Sequence, residues 1–80
     1  MALPIRPGVH RLVHIHHNTP GVLAAVNGIL ADHDVNVEGQ LLGTRGDVGY
    51  VLTDIGVDYA EEVLEQLREM PQTVRLRVVS

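Results

Sequence analysis

The chain has 80 residues, no cysteine, no lysine, six arginines and a net charge of −4. That length supports one small core, and the missing thiols exclude disulfides and thiolate chemistry. Tyr50 and Tyr59 are the only Phe, Trp or Tyr side chains, so a nucleic-acid binder's basic patch and stacking platform are both missing.

Residues 1–8, MALPIRPG, read as an extended linker segment, because Pro4 and Pro7 forbid a helix and Gly8 adds freedom. Residues 9–80 read as one domain. Val9, Arg11, Val13 and Ile15 alternate with His10, Leu12, His14 and His16, which predicts a strand from Val9 to His16. Pro20 suits the first turn of a helix, with Asn18 or Thr19 as its cap. Leu23, Val26, Ile29 and Leu30 form the apolar face of that helix, and Asp32 to Asp34 ends it. Val35, Val37, Gly39 and Leu41 then alternate with Asn36, Glu38 and Gln40, giving a second strand with one dry face and one polar face.

Gly43 to Asp47 predicts a hairpin connection, and Val48 to Ile55 a third strand. Asp58 followed by Glu61 resembles a capping box opening a second helix. Its stripe is Ala60, Val63, Leu64, Leu67 and Met70, and Pro71 closes it. Val74, Leu76 and Val78 alternate with Thr73, Arg75 and Arg77 in a last strand. The expected fold class is therefore α+β: a ferredoxin-like βαββαβ sandwich, a four-stranded antiparallel sheet with both helices on one face. The polar series Asn36, Glu38, Gln40, Arg75 and Arg77 is expected on the uncovered face. No apolar run approaches the roughly 20 residues of a membrane span. No signal-peptide pattern opens the chain, so the cytoplasm is the expected compartment.

Three chemistries compete for the segment His14-Ile-His-His-Asn-Thr-Pro-Gly21. His14 and His16 project the same way from a strand. They can share a zinc or copper ion, with His17 or a carboxylate as third ligand. A pair is only half a site, and the competing reading makes His14 a polar residue on an open sheet face. Nucleophilic catalysis lacks its nucleophile, since the sole serine is Ser80. Thr19 with His17 and Asp54 is one conceivable trio, yet Thr19 is already explained as a cap. No carboxylate pair stands out for acid–base work. The third option is a small zwitterion. Asn18 to Val22 offer backbone N–H groups at a helix N-terminus, where the dipole favours a carboxylate. Asn18 can donate and accept, and His16 adjoins the turn. The same turn needs no ligand in order to exist.

The stretch HIHHNTPGVLAAVNGILADHDVNVEGQ, residues 14–40, resembles an ACT domain, the βαββαβ module that senses amino acids. Its HxHxNxPGVL opening, the following DxxVN and a later GYVLTDI resemble more specifically the serine-sensing members of that family. The likeness runs from about Val9 to Val79, and LPI near the start resembles the segment leading into such domains. It implies L-serine as ligand, contacted by His16, Asn18 and Asn36, with the turn Thr19, Pro20, Gly21 and Val22 around it. His17 departs from the pattern, since an acidic residue is familiar there, and is expected to face outward. His14 lies two residues farther from the turn, about 7 Å at strand rise, and is expected outside the ligand site.

The resemblance also implies a regulatory segment that is not an enzyme by itself. It would mediate feedback inhibition of an NAD-dependent dehydrogenase of serine biosynthesis whose catalytic domains are absent from this sequence. A homodimer through the second strand is implied, with Asn36 reaching across the two-fold axis, and a tetramer in a full-length enzyme. The alternatives are an assembly module without ligand sensing and a histidine-based metal-binding domain.

Overall fold

The computed structural model describes residues 8–79. Its elements run β1 (Val9–His17), α1 (Val22–Asp32), β2 (Val37–Arg45), β3 (Val48–Gly56), α2 (Glu61–Glu69) and β4 (Thr73–Val79). The four strands form one antiparallel sheet in the order β2-β3-β1-β4. This is the βαββαβ sandwich expected from the alternation of strand and helix periods. The linker reading of residues 1–7 and the placement of Ser80 lie outside the described residues.

Strand β1 lies between β3 and β4, and its burial alternates. Leu12, His14 and His16 are buried, whereas Arg11, Val13 and Ile15 are half-buried. The helices therefore cover the face that carries the histidines. The expectation of His14 on an open sheet face is wrong. Leu12 goes inward, and strand geometry takes His14 and His16 with it. The core gathers Leu12 with Val22, Val26 and Leu30 of α1, Ile55 of β3, Val63, Leu64 and Leu67 of α2, Met70 and Leu76.

Both helices begin later than the sequence suggests, and neither has a side-chain cap. Asn18 and Thr19 do not cap α1, and Pro20 sits in the turn before it. Gly21 occupies the cap position with φ 87°, a left-handed conformation that favours glycine. The buried stripe of α1 is accordingly Val22, Val26 and Leu30, with Leu23 only half-buried. The helix ends with Asp34 at φ 54°. Asp34 N–H bonds to Ala31 O (3.1 Å) and Val35 N–H to Leu30 O (2.9 Å), a Schellman ending that folds Val35 back onto the core. In α2 the cap is Ala60 rather than Asp58, so no Asp58–Glu61 capping box forms and Ala60 is exposed. Glu61 and Glu62 still place negative charge at the positive helix end.

Arg75 and Arg77 lie on the open face as expected, but two register shifts change the faces of Gln40 and Thr73. Val37 pairs with Ile55 and Gly39 with Asp54, so Glu38 is an extra residue. Beyond it the alternation inverts. Gln40 faces the helices, and Gly39 and Leu41 share the open face. Gln40 Nε2 donates to Asn27 Oδ1 on α1 (2.9 Å) and to Thr53 Oγ1 (3.1 Å). On β4, Arg75 pairs with Ile15 and Thr73 with His16, which makes Val74 the extra residue and leaves it 54% exposed. Thr73 consequently faces inward, not outward with Arg75 and Arg77. The hairpin is tighter than Gly43 to Asp47. Arg45 pairs with Val48, leaving Gly46 and Asp47 as a two-residue loop with Gly46 at φ 62°.

On the open face Arg11 grips Asp54 through two bonds, Nε to Oδ1 at 2.7 Å and Nη2 to Oδ2 at 3.0 Å. The covered face depends on apolar packing. Leu30 is 1% exposed and touches both helices' shared core. Leu30→Ala should lower unfolding stability by about 2–5 kcal/mol, read from urea denaturation followed by circular dichroism. A loss under about 1 kcal/mol would contradict this core.

Candidate functional site

The inner end of β1 and the turn after it form a compact polar cluster. His17 N–H bonds to Gln72 O (2.9 Å) and Asn18 N–H to Asp47 O (2.8 Å). Asn18 Nδ2 donates to Gly46 O (3.1 Å), so Asn18 clasps the β2–β3 hairpin with both backbone and side chain. Thr19 N–H bonds to His17 O (2.9 Å), and Pro20 has no N–H. The backbone donors at Asn18 and Thr19, expected to be free, are therefore committed within the protein. The donors left for a ligand start at Gly21 and continue into the uncapped first turn of α1.

His16 is 3% exposed and His14 is 2% exposed. Their rings stack with centroids 5.3 Å apart and planes 30° from parallel. His16 Nδ1 donates to His17 O at 2.9 Å. His14 Nε2 lies 2.7 Å from Thr73 Oγ1, which itself donates to Leu67 O at 2.7 Å. That leaves one buried nitrogen on each ring, His14 Nδ1 and His16 Nε2, without a hydrogen-bond partner. Buried polar atoms are ordinarily bonded, so two orphans side by side mark this as a place where something can bind.

Asn36 is elsewhere. It stands exposed before β2, its side-chain amide donating to the Glu38 carboxylate and its backbone carbonyl accepting from Gly56 N–H at 3.0 Å. Gly56 pairs with Val9, while Gly49 pairs with His16. Seven strand positions, roughly 23 Å, thus separate Asn36 from the histidine end. The chain brings together His16, Asn18, Thr19, Pro20, Gly21 and Val22 but not Asn36.

The family model described as "AHAS small subunit-like ACT domain" matches residues 12–75. The chain belongs to the ACT domain family. It is 43% identical over 81 residues to D-3-phosphoglycerate dehydrogenase of Escherichia coli K12, covering 99% of this chain and 20% of that protein. The corresponding protein of Dictyostelium discoideum is 37% identical over 79 residues, covering 99% of this chain and 19% of its own length. The chain therefore spans about a fifth of the length of these relatives. Among solved structures, the ACT domain of GTP pyrophosphokinase from Chlorobium tepidum superposes with a TM-score of 0.76 at 12% identity, covering 89% of this chain and 96% of that one. The regulatory subunit of aspartate kinase from Thermus thermophilus gives 0.73 at 21% identity, covering 94% and 52%. These two likenesses concern the fold.

Within this ACT domain the other candidate chemistries are poorly served. His17 is exposed and alternates to the face opposite His14 and His16, so it cannot join them around one ion. Among the described residues no group of three or more His, Cys, Asp or Glu side chains could hold a metal. Asp54 pairs with Arg11, six positions along β1 from His17, so Thr19, His17 and Asp54 do not form a trio. No helix of the described residues is long and apolar enough to cross a membrane.

A groove of about 310 Å³ runs between α1 and the β2 edge, lined by Asn27, Leu30, Ala31, Val35, Val37 and Gln40. Neither His16 nor Asn18 lines it, and the orphan nitrogens identify the polar site better than this cavity does. Of its lining, Val37 belongs, with the exposed Leu42, to the free edge of the sheet.

Sequence reasoning missed His14, Thr73 and Gly49 as parts of the polar cluster. One signal was present: His14 and His16 alternate in phase with Leu12, the bulkiest apolar residue on that side of β1.

Burial, and secondarily the charge of neighbouring His16, lowers the His14 pKa to about 4 from the usual 6.5. The folded protein thus resists a proton that the unfolded chain accepts. Stability should be fully present above about pH 6.5 and fall as pH drops toward about 4, because the unfolded state binds more protons in that window. Urea midpoints measured across this range should slope downward with acidification, and His14→Gln should flatten the slope. An unchanged slope in the variant would show that His14 is not the group responsible.

Proposed function

We propose that this ACT domain binds L-serine and conveys feedback inhibition to an NAD-dependent D-3-phosphoglycerate dehydrogenase of serine biosynthesis. The observation that carries the reading is the orphan His16 Nε2 beside Asn18, at positions that match the contact pattern of serine-sensing ACT domains. The identity to D-3-phosphoglycerate dehydrogenases over nearly the whole chain supports it. In this reading the domain regulates and does not catalyse. NAD belongs to a catalytic domain of the larger enzyme, and the compartment is the cytoplasm.

The separation of Asn36 from His16 is resolved by a two-fold pairing of β2 with its copy. Antiparallel strands related by an axis at Leu41, the midpoint of Val37–Arg45, would set residue 37 of one against residue 45 of the other. Asn36 of the partner subunit then arrives beside the Gly46 loop, which Asn18 already holds. The pairing would also cover the groove and the exposed Val37 and Leu42. In a full-length enzyme such dimers can assemble into a tetramer. The same features support the plainer alternative, an assembly module that dimerises without sensing.

Calorimetry with L-serine separates the two. Asn18→Ala and Asn36→Ala should each weaken binding by roughly 1–3 kcal/mol, about thirtyfold for a mid-range loss. D-Serine should bind much more weakly, since inversion leaves at least one polar group unpaired. Parent-like affinity in both asparagine variants, or equal heats for the enantiomers, would defeat the serine-sensor reading.

Assembly has its own test. Leu42→Glu places charge on the exposed edge and should shift sedimentation from dimer toward monomer at micromolar concentration. A parent chain that is monomeric yet binds serine would rule out the shared site.

A further inference from the structure

The proposed ligand reading leaves open what kind of group His16 recognises, and the bonding around the ring decides it. His17 O, a carbonyl, can only accept, so the 2.9 Å contact requires the hydrogen on His16 Nδ1. A neutral imidazole with its proton there has a bare lone pair at Nε2. That atom is buried and has no partner. His14 cannot supply one. Thr73 Oγ1 gives its proton to Leu67 O and therefore takes one from His14 Nε2, leaving His14 Nδ1 as another bare acceptor. The two rings thus face the interior with two acceptors and no donor between them. An unmet acceptor in a dry site is unfavourable, and an arriving donor removes the penalty. A carboxylate would add further acceptors against it.

The ring is also confined. A Cβ at Gly49 would come within 2.5 Å of His16 Cε1 and 3.0 Å of Nε2. Only a residue without a side chain lets the imidazole lie over β3 there, and His14 stacks on the ring at 5.3 Å.

We propose that His16 is locked as its Nδ1–H tautomer, so that its Nε2 selects a hydrogen-bond donor of the ligand, an ammonium or a hydroxyl, and rejects a carboxylate. His14 and Gly49 are the positioning residues that hold the ring. The identity of the ligand as an amino acid rests on the function proposed above, whereas the tautomer is a property of the protein alone.

Long-range proton–nitrogen NMR correlation on the nitrogen-15-labelled chain, slightly above neutral pH, reads the ring nitrogens directly. Without ligand, His16 should show a protonated Nδ1 and bare Nε2, and His14 the reverse. An Nε2–H or doubly protonated His16 overturns the proposal whether or not serine binds. If L-serine fails to bind, the serine-sensor reading fails and the tautomer result still stands or falls separately. On binding, the His16 Nε2 resonance should move as an acceptor's does while Nδ1 stays. L-Alanine keeps the ammonium without the hydroxyl, and 3-hydroxypropanoate keeps the hydroxyl with no donor in place of the ammonium. Whichever reproduces the shift names the donor. Serine binding that leaves Nε2 unmoved, or protonates it, overturns the selection of a donor. Gly49→Ala should abolish the His16 pattern and weaken serine binding about tenfold or more, while amide spectra retain the fold. A folded Gly49→Ala with the parent's ring pattern and affinity would remove Gly49 from the positioning role.

Discussion

The inward face of β1 is the constraint on which the polar architecture depends. Strand β1 is bonded on both sides, by β3 and β4, and its histidine-bearing face is covered by the helices. Two imidazoles are thereby taken out of water next to Leu12. Each needs its N–H met within the protein, since a buried donor without a partner costs several times what a surface bond contributes. Thr73 meets one and the His17 carbonyl meets the other. Farther along the same face, Tyr59 meets His10 at 2.9 Å. The extra residue Val74 on β4 belongs to the same economy: without that register shift, strand alternation would turn Thr73 outward and leave His14 Nε2 unsatisfied.

The element order and sheet class were readable because they depend on long stretches of period-two and helical patterning. What failed depends on single residues. Gly21 in a left-handed conformation moves the start of α1 past Asn18 and Thr19, and those two side chains cannot cap a helix that begins at Val22. The extra Glu38 inverts the rest of β2, whereas the extra Val74 turns only Thr73 inward and leaves Arg75 and Arg77 on the open face as expected. A bulge leaves almost no trace in an alternating sequence, because either phase still looks like a strand. Gln40 illustrates this. Its polarity suggested the open face, but on the helix side it ties Asn27 to Thr53.

The candidate site divides along the same line. The turn residues His16 to Val22 cluster because they are consecutive, and sequence could locate them. Asn36 could be named only through resemblance, because its relation to the others depends on sheet register and, on the proposed pairing, on a second copy across the β2 edge. The hairpin loop Gly46-Asp47 carries the connection. It is bonded to Asn18 in its own protomer, and a two-fold axis at the middle of β2 would bring Asn36 of the partner subunit to the same loop.

A divided site also suits the energetics of a small ligand. Serine has about seven heavy atoms, and even the most efficient ligands gain only about −1.5 kcal/mol per atom, so about −10 kcal/mol is its ceiling. Micromolar sensing requires about −8 kcal/mol of that. An exposed turn such as Asn18 to Gly21, open to water on one side, wastes too much contact to approach this efficiency. Enclosure between two protomers, as in the proposed pairing, would supply the missing contacts and make occupancy depend on how the protomers sit. Whatever geometry binds serine more tightly is then stabilised by serine to the same extent. On the proposed reading, the distance between His16 and Asn36 within one chain is therefore what allows so small a domain to act as a regulator.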